Sequence, residues 1–289
     1  MAGTFILSLD CEGKWGVADH LSPRWQRDLT EERLKEAYRA IAALLAKAGV
    51  PATFAFTELF LRSRDELLAL PTDEIAERLP YARPAFRDLV HGSGEGWTGE
   101  WALAAIGAGH EIASHGVTHT PWTEMTADQA QYELSLVPIE RGRTFIHPRN
   151  AIAHLDLLAE AGFAGYRLAR PRSSRIASLA GELNILAAAE PSPAPAPLQP
   201  IPAGYFINWL SGPRRLVPTW VTRRRARHVL EQAARTGGVA HFWTHPENVA
   251  AAPATLRNLA AVVEEAAAMR KAGRIEILTQ IDYCRSLVS

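Results

Sequence analysis

The chain predicts an α/β fold, a β/α barrel of irregular or partly open form with about eight strands. Three observations carry that prediction. Short apolar runs alternate with helical patterns along almost the whole sequence, four polar clusters fall at or just past the ends of those runs, and 289 residues suit one such barrel. No internal repeat is visible, so a single catalytic domain over residues 1–289 is expected, with a Pro-rich connector at about 190–203.

Residues 4–10 form the first strand. Leu34, Tyr38, Ile41 and Leu45 then recur at helical spacing before Gly49, a C-terminal stop. Residues 51–57 mix β-branched and aromatic side chains as a second strand, and residues 58–90 are helical but broken at Pro71, Pro80 and Pro84. Thr98 is expected to cap a short helix ending at Ile106, and residues 111–114 follow as a strand. Thr126 with Gln129 forms a capping box for a helix reaching about Glu140. A strand over 144–147, a helix over 152–160 and a strand over 163–168 come next. Prolines at 191, 193, 195, 197, 200 and 202 leave too few backbone donors for a helix, which makes that stretch an extended connector. The rest reads as a strand over 205–209, a helix over 222–235, an apolar strand over 238–243, a helix over 253–271 closed by Gly273, and a last strand over 274–278.

Composition excludes several classes. Lys plus Arg and Asp plus Glu both total 31, so no overall basic field points to nucleic acid or to an anionic membrane. The start lacks the basic residues, apolar core and cleavage site of a signal peptide, and a cytoplasmic location is expected. No apolar run approaches the roughly 20 residues that cross a bilayer. Only Cys11 and Cys284 are present, too few for a disulfide scaffold or a zinc knuckle, so any metal must rely on His and carboxylate.

The first strand ends in Asp10 and Glu12, which alternation along a strand projects to one side while Cys11 points away. His115 and His119 lie four apart just past the strand at 111–114. Two imidazoles and one carboxylate form a common catalytic zinc set with a position left open for water, and the other carboxylate remains as a base. A solvated helix face for the two histidines, or capping and surface ion pairs for the two acids, explains each piece separately. Neither explains their convergence on one barrel face. His245 ends the strand at 238–243, and its ordinary pKa near 6.5 suits a general acid; His241, two residues in, is expected to pack or hydrogen-bond within the barrel. His147, Arg149 and Asn150 form the fourth cluster, in which Arg149 can hold Asp10 ionised. Arg223, Arg224 and Arg225 read as a solvated helix face, or as a cradle for an anionic carrier such as a nucleotide or lipid diphosphate.

In order and type, these segments resemble the polysaccharide deacetylase family, carbohydrate esterase family four. The segments are Leu9 to Glu12, His115 to His119, His147-Pro148-Arg149 and Phe242 to His245. The resemblance runs from about residue 4 to 248 and implies a polysaccharide-deacetylase-like irregular barrel, a zinc-like divalent ion, and removal of an acyl group from a sugar. It further implies that Asp10 is the base and that Glu12, His115 and His119 bind the metal, as in a branch with Asp-x-Glu in place of adjacent acids. His245 then protonates the leaving amine and Arg149 orients Asp10. His147, Asn150, Trp15 and Trp209 are the expected substrate contacts, while Trp243 is expected in the core. Two departures stand out: Ile146 replaces the arginine that normally precedes the proline of the third motif, and Gly116 replaces a hydroxyl residue in the second. The expected function is a metal-dependent N-deacetylase acting on an acylated amino sugar or glycan precursor, in the manner of divergent members associated with surface-glycan assembly. A hydrolase of another amide (cyclic imide, ureide or formamide) and a catalytically silent glycan-binding barrel are the alternatives.

Overall fold

The computed structural model describes residues 2–171 and 181–287. Among the described residues nine strands form one sheet: β1 (Gly3–Cys11), β2 (Thr53–Phe56), β3 (Glu111–Ser114), β4 (Thr144–Phe145), β5 (Gly165–Arg167), β6 (Gln199–Ile201), β7 (Tyr205–Phe206), β8 (Val239–Thr244) and β9 (Ile275–Leu278). The order is β6-β5-β4-β3-β2-β1-β8-β7, with every strand pairing parallel. β9 pairs with Gly3–Ile6 of β1, and β2 with Ser8–Cys11, so two strands share successive halves of β1. The sheet curls into a half-barrel, and residues 202–204 carry the chain from its β6 edge to its β7 edge. A Cβ at Gly204, where φ is +73°, would lie 2.8 Å from the His241 ring, so this join passes too close to β8 for a side chain.

Alternation along β1 separates two environments. Phe5, Leu7, Leu9 and Cys11 belong to the main apolar core beneath the helices. Ser8, Asp10 and Glu12 have the opposite parity and make polar contacts with residues of other strands. In register with Asp10 are Ala55 and then Ala113, two methyl-sized side chains. They leave interior room beside Asp10, where the guanidinium of Arg167 lies.

Helices cover the outer face. Helix α1 (Glu31–Ala48) buries Leu34, Ala37, Tyr38, Ile41 and Leu45. Thr30 caps it through the Arg33 amide, and Glu31 and Glu32 in its first turn complement the helix dipole. Helix α2 (Ala127–Ser135) carries the expected capping box of Thr126 and Gln129, but ends five residues before Glu140 because Pro138 cannot continue it. The short helix expected after Thr98 starts only at Ala102, since Gly99 first donates to Phe60 O at 2.6 Å. Helix α3 (Leu155–Ala161) starts three residues later than expected, after His154 at φ +51°. Helices α4 (Thr219–Thr236) and α5 (Leu256–Lys271) pack side by side, α4 behind β1 and β8 and α5 against β9 and α1. The Pro-rich stretch is extended as expected, yet it also contributes β6. Gln199 donates to Ala164 O and Leu168 to Ile201 O, so the ladder passes over Pro200 without needing its missing N–H.

Candidate active site

The parallel register brings the carboxyl ends of β1 and β3 to one level: Cys11 pairs with Phe56 and Phe56 with Ser114, so Glu12 and His115 are the next residues on their strands. His115 Nε2 lies 3.0 Å from Glu12 Oε1, His119 Nε2 3.1 Å and His245 Nε2 3.4 Å. One ligand atom each from Glu12, His115 and His119 falls within a 4.8 Å span, as does one each from Asp10, Glu12 and His245.

Proton placement tests whether this set suits a metal. His115 donates from Nδ1 to Ile146 O at 2.8 Å, so a neutral ring turns a lone pair on Nε2 toward the Glu12 carboxylate. Two lone pairs facing across 3.0 Å require a positive charge between them, whether a proton or a metal ion. A ring fixed through its far nitrogen is the usual support for a ligating histidine. Glu12, His115 and His119 therefore fit a divalent ion. At His245 the Asn248 side-chain amide lies 3.2 Å from Nδ1, and Nε2 points toward Glu12. Burial opposes charge on His245, but Glu12 outweighs it and raises the pKa to about 9.

The loop carrying both histidines is held from below. Glu133 on α2 is fully buried and accepts from the Thr118 amide at 2.8 Å, the Thr118 hydroxyl at 2.5 Å and Trp122 Nε1 at 2.9 Å. Gly116 has φ +74°, and a Cβ there would stand 2.8 Å from Pro148 Cγ. The close approach of these two loops excludes the hydroxyl residue found in related motifs.

Arg149 is corrected here. It was expected to hold Asp10, but its guanidinium pairs with Asp19 near the surface. The partner of Asp10 is Arg167, whose Nη1 and Nη2 donate to Oδ1 and Oδ2 at 2.7 and 2.6 Å in a fully buried bidentate pair. Burial alone would push the Asp10 carboxyl up; Arg167 reverses this and holds it below the usual carboxylate range. Arg167 also donates to Ser8 Oγ at 3.2 Å and Asn150 Oδ1 at 3.1 Å. His241 packs within the barrel as expected, between Pro202 O at 2.6 Å and Ser8 Oγ at 2.9 Å. The sequence signal for Arg167 was a charged residue inside an otherwise apolar strand, outside the four polar clusters.

Glu247 was also missed. Its Oε1 accepts the amides of Glu12 at 2.9 Å and Gly13 at 2.6 Å, fixing the turn that presents Glu12, while burial and the Glu12 charge push its pKa to about 7.

A cavity of about 900 Å³ opens over Glu12 and His245, with Trp25, Phe206, Trp209 and Trp243 among its lining. Of the expected substrate contacts, Trp209 and Asn150 reach it. Trp15 does not: it is buried against Trp97 and Phe86 and donates to Trp97 O. His147 does not either, since Pro148 turns the chain and the ring packs on Trp122, Phe145 and Tyr166 while its Nε2 meets Ala153 O at 3.2 Å. Trp243, expected in the core, lines the cavity with Arg167 4.7 Å from its ring centre.

Burial drives the pKa of His147 and of His241 down to about 3, so both are neutral in the fold. Unfolded, each titrates near 6.5, and the stability they contribute is complete above that pH and lost as pH falls toward 3, by up to about 1.4 kcal/mol per pH unit per ring. His147→Phe is therefore expected to flatten the pH dependence of urea unfolding between pH about 6 and 4 by one such slope. Equal slopes in variant and parent would refute a neutral His147.

An α/β half-barrel with acids and imidazoles gathered at the carboxyl ends of its strands defines the class. Residues 28–137 match the sequence profile of the polysaccharide deacetylase family, a stretch that includes His115 and His119 but neither Asp10 and Glu12 nor His245. No curated protein matches the chain. The fold is similar to that of a polysaccharide deacetylase from Mycobacterium smegmatis (TM-score 0.58, 15% identity, covering 100% of this chain and 91% of that one). It is also similar to one from Pseudomonas aeruginosa PAO1 (TM-score 0.56, 12% identity, 98% and 89%) and to PuuE allantoinase (TM-score 0.54, 14% identity, 98% and 89%). Over residues 28–137 the chain is similar to the polysaccharide deacetylase family, and its fold is that of these solved structures. Among the described residues, no helix is long and apolar enough to cross a membrane.

Proposed function

We propose that the protein is a metal-dependent N-deacetylase that removes the acyl group from an acylated amino sugar or glycan precursor. The observation carrying this reading is the meeting of Glu12 with the buried His115 and His119, with Asp10 alongside, at a point where Glu12 and His245 line a large cavity. A divalent ion such as Zn²⁺, held by those three residues, supplies polarisation of the acyl carbonyl and brings the pKa of water to roughly 7. Asp10 takes the proton of the attacking water. The Arg167 clamp occupies one lone pair on each Asp10 oxygen, keeps the group ionised and leaves the other lone pairs free to accept. His245 gives its proton to the departing amine. Trp209, Trp243 and Asn150 line the space that a sugar ring would enter.

Purified protein is expected to hold about one divalent ion per chain and to release acetate from N-acetylated amino sugars. His245→Ala should cost roughly 10²–10⁴ in turnover on the amide. It should cost much less on an aryl acetate, whose leaving group needs no proton. Equal losses on both substrates with metal retained would exclude proton donation. Hydrolysis of a non-sugar amide is the second reading, supported by the aromatic lining of the cavity and the fold shared with an allantoinase. Turnover of a cyclic ureide without acetate release from sugars would favour it; metal binding without either activity would favour the silent barrel.

A further inference from the structure

Beyond the cavity, one outer face combines exposed apolar side chains with unpaired positive charge. Leu186, Leu216 and Trp220 are 69%, 78% and 62% exposed, and Leu183 is exposed beside them in sequence. The elements that carry them are tied together. Arg214 donates to Glu182 at 2.7 Å, and Arg225 on α4 donates to Gly181 O and Glu182 O. Leu216 ends the turn just before α4, and Trp220 lies in its first turn. Leu186 and Trp220 line one groove with three arginines, Arg223, Arg224 and Arg227, and one acid, Glu231.

The charges on this face are not equivalent. Arg223 and Arg227 are paired with Glu264 and Glu265, whereas the exposed Arg215 and Arg224 have no partner among the described residues. Trp220 and Arg224 are four apart on α4 and so share a face. The zero net charge of the chain hides this local excess.

We propose that this face docks on an anionic lipid bilayer. Aliphatic side chains and a Trp projecting beside unpaired guanidinium groups match the acyl boundary and the phosphate layer of such a surface. Nucleic acid would use the Trp and the arginines but leave Leu186 and Leu216 in water. A second copy of the chain, paired about a two-fold axis, would set Arg215 and Arg224 against their own like charges. Leu186 and Arg214 also line the catalytic cavity, so docking brings its mouth to the membrane plane.

The test is cosedimentation of the full chain with vesicles of phosphatidylcholine and phosphatidylglycerol in equal parts, against pure phosphatidylcholine. Binding is expected only to the anionic vesicles and should fade at about 1 M salt, where the screening length falls to about 3 Å. Arg215→Ala with Arg224→Ala should weaken it about 30-fold, the factor for two basic side chains at such a surface. Leu216→Ala with Trp220→Ala should weaken it at least about 10-fold through lost apolar burial. All four side chains are exposed, so the thermal midpoint should stay within about 2 °C of the parent and report intact folding. Absence of vesicle binding, no preference for anionic lipid, or binding indifferent to both double variants would each overturn the proposal. So would self-association or nucleic-acid retention abolished by Trp220→Ala in a protein that ignores vesicles.

Discussion

Asp10→Asn is expected to lower turnover on an N-acetylated amino sugar by at least about 10²–10⁴-fold while metal content stays near that of the parent. The amide keeps the size of the carboxylate but cannot take a proton, and in the proposed arrangement Asp10 is a base rather than a ligand. Glu12→Gln should lose metal and activity together, because Glu12 Oε1 is the atom on which His115, His119 and His245 converge. Metal analysis of the two variants beside their turnover separates the roles. Loss of metal in Asp10→Asn with retention in Glu12→Gln would require the two assignments to be exchanged.

Arg167→Met should have the largest effect on stability. It removes the guanidinium that clamps the buried Asp10 carboxylate, and leaving such a charge unpaired costs about 3–5 kcal/mol. Activity should fall as well, since an unpaired buried Asp10 takes up a proton and ceases to be a base. Arg149→Met breaks the partly exposed pair with Asp19, worth no more than about 1 kcal/mol, and a contact over the Tyr81 ring, and should cost far less stability than Arg167→Met. The double variant Asp10→Asn with Arg167→Met should recover part of the stability lost in the single Arg167 variant, because no uncompensated charge remains. Denaturant unfolding of the four proteins measures the cycle. A loss in Arg149→Met as large as in Arg167→Met would overturn the assignment of the clamp.

The elements with strong local signals were legible in the residues. The apolar spacing and caps of α1 and α2, and the alternation of β1, follow from 3.6- and 2-residue periodicity, which needs no knowledge of the rest of the chain. The pairing of Asp10 with Glu12 on one side, and their company with His115, His119 and His245, followed from strand ends alone. Helix and strand limits shifted where loop geometry intervened, at Pro138 and at the left-handed residues Arg149, Asn150 and His154.

Sequence by itself determined which residue types stand at the carboxyl ends of the strands, because a parallel half-barrel collects those ends on one face whatever the intervening lengths. Only the tertiary structure decided which arginine meets Asp10. Arg149 and Arg167 both lie near strand ends, and the choice depends on parity and on space: Ala55 and Ala113 flank Asp10 in the register and leave room for the longer reach from β5, while the turn at Pro148 sends Arg149 outward to Asp19. The same holds for the tryptophans. Trp15 and Trp243 carry the same ring chemistry, and their exchange between core and cavity follows from tertiary packing, Trp15 against Phe86 and Trp97 and Trp243 beside Arg167. Distances across a fold are set by how its layers close, and no local pattern encodes them.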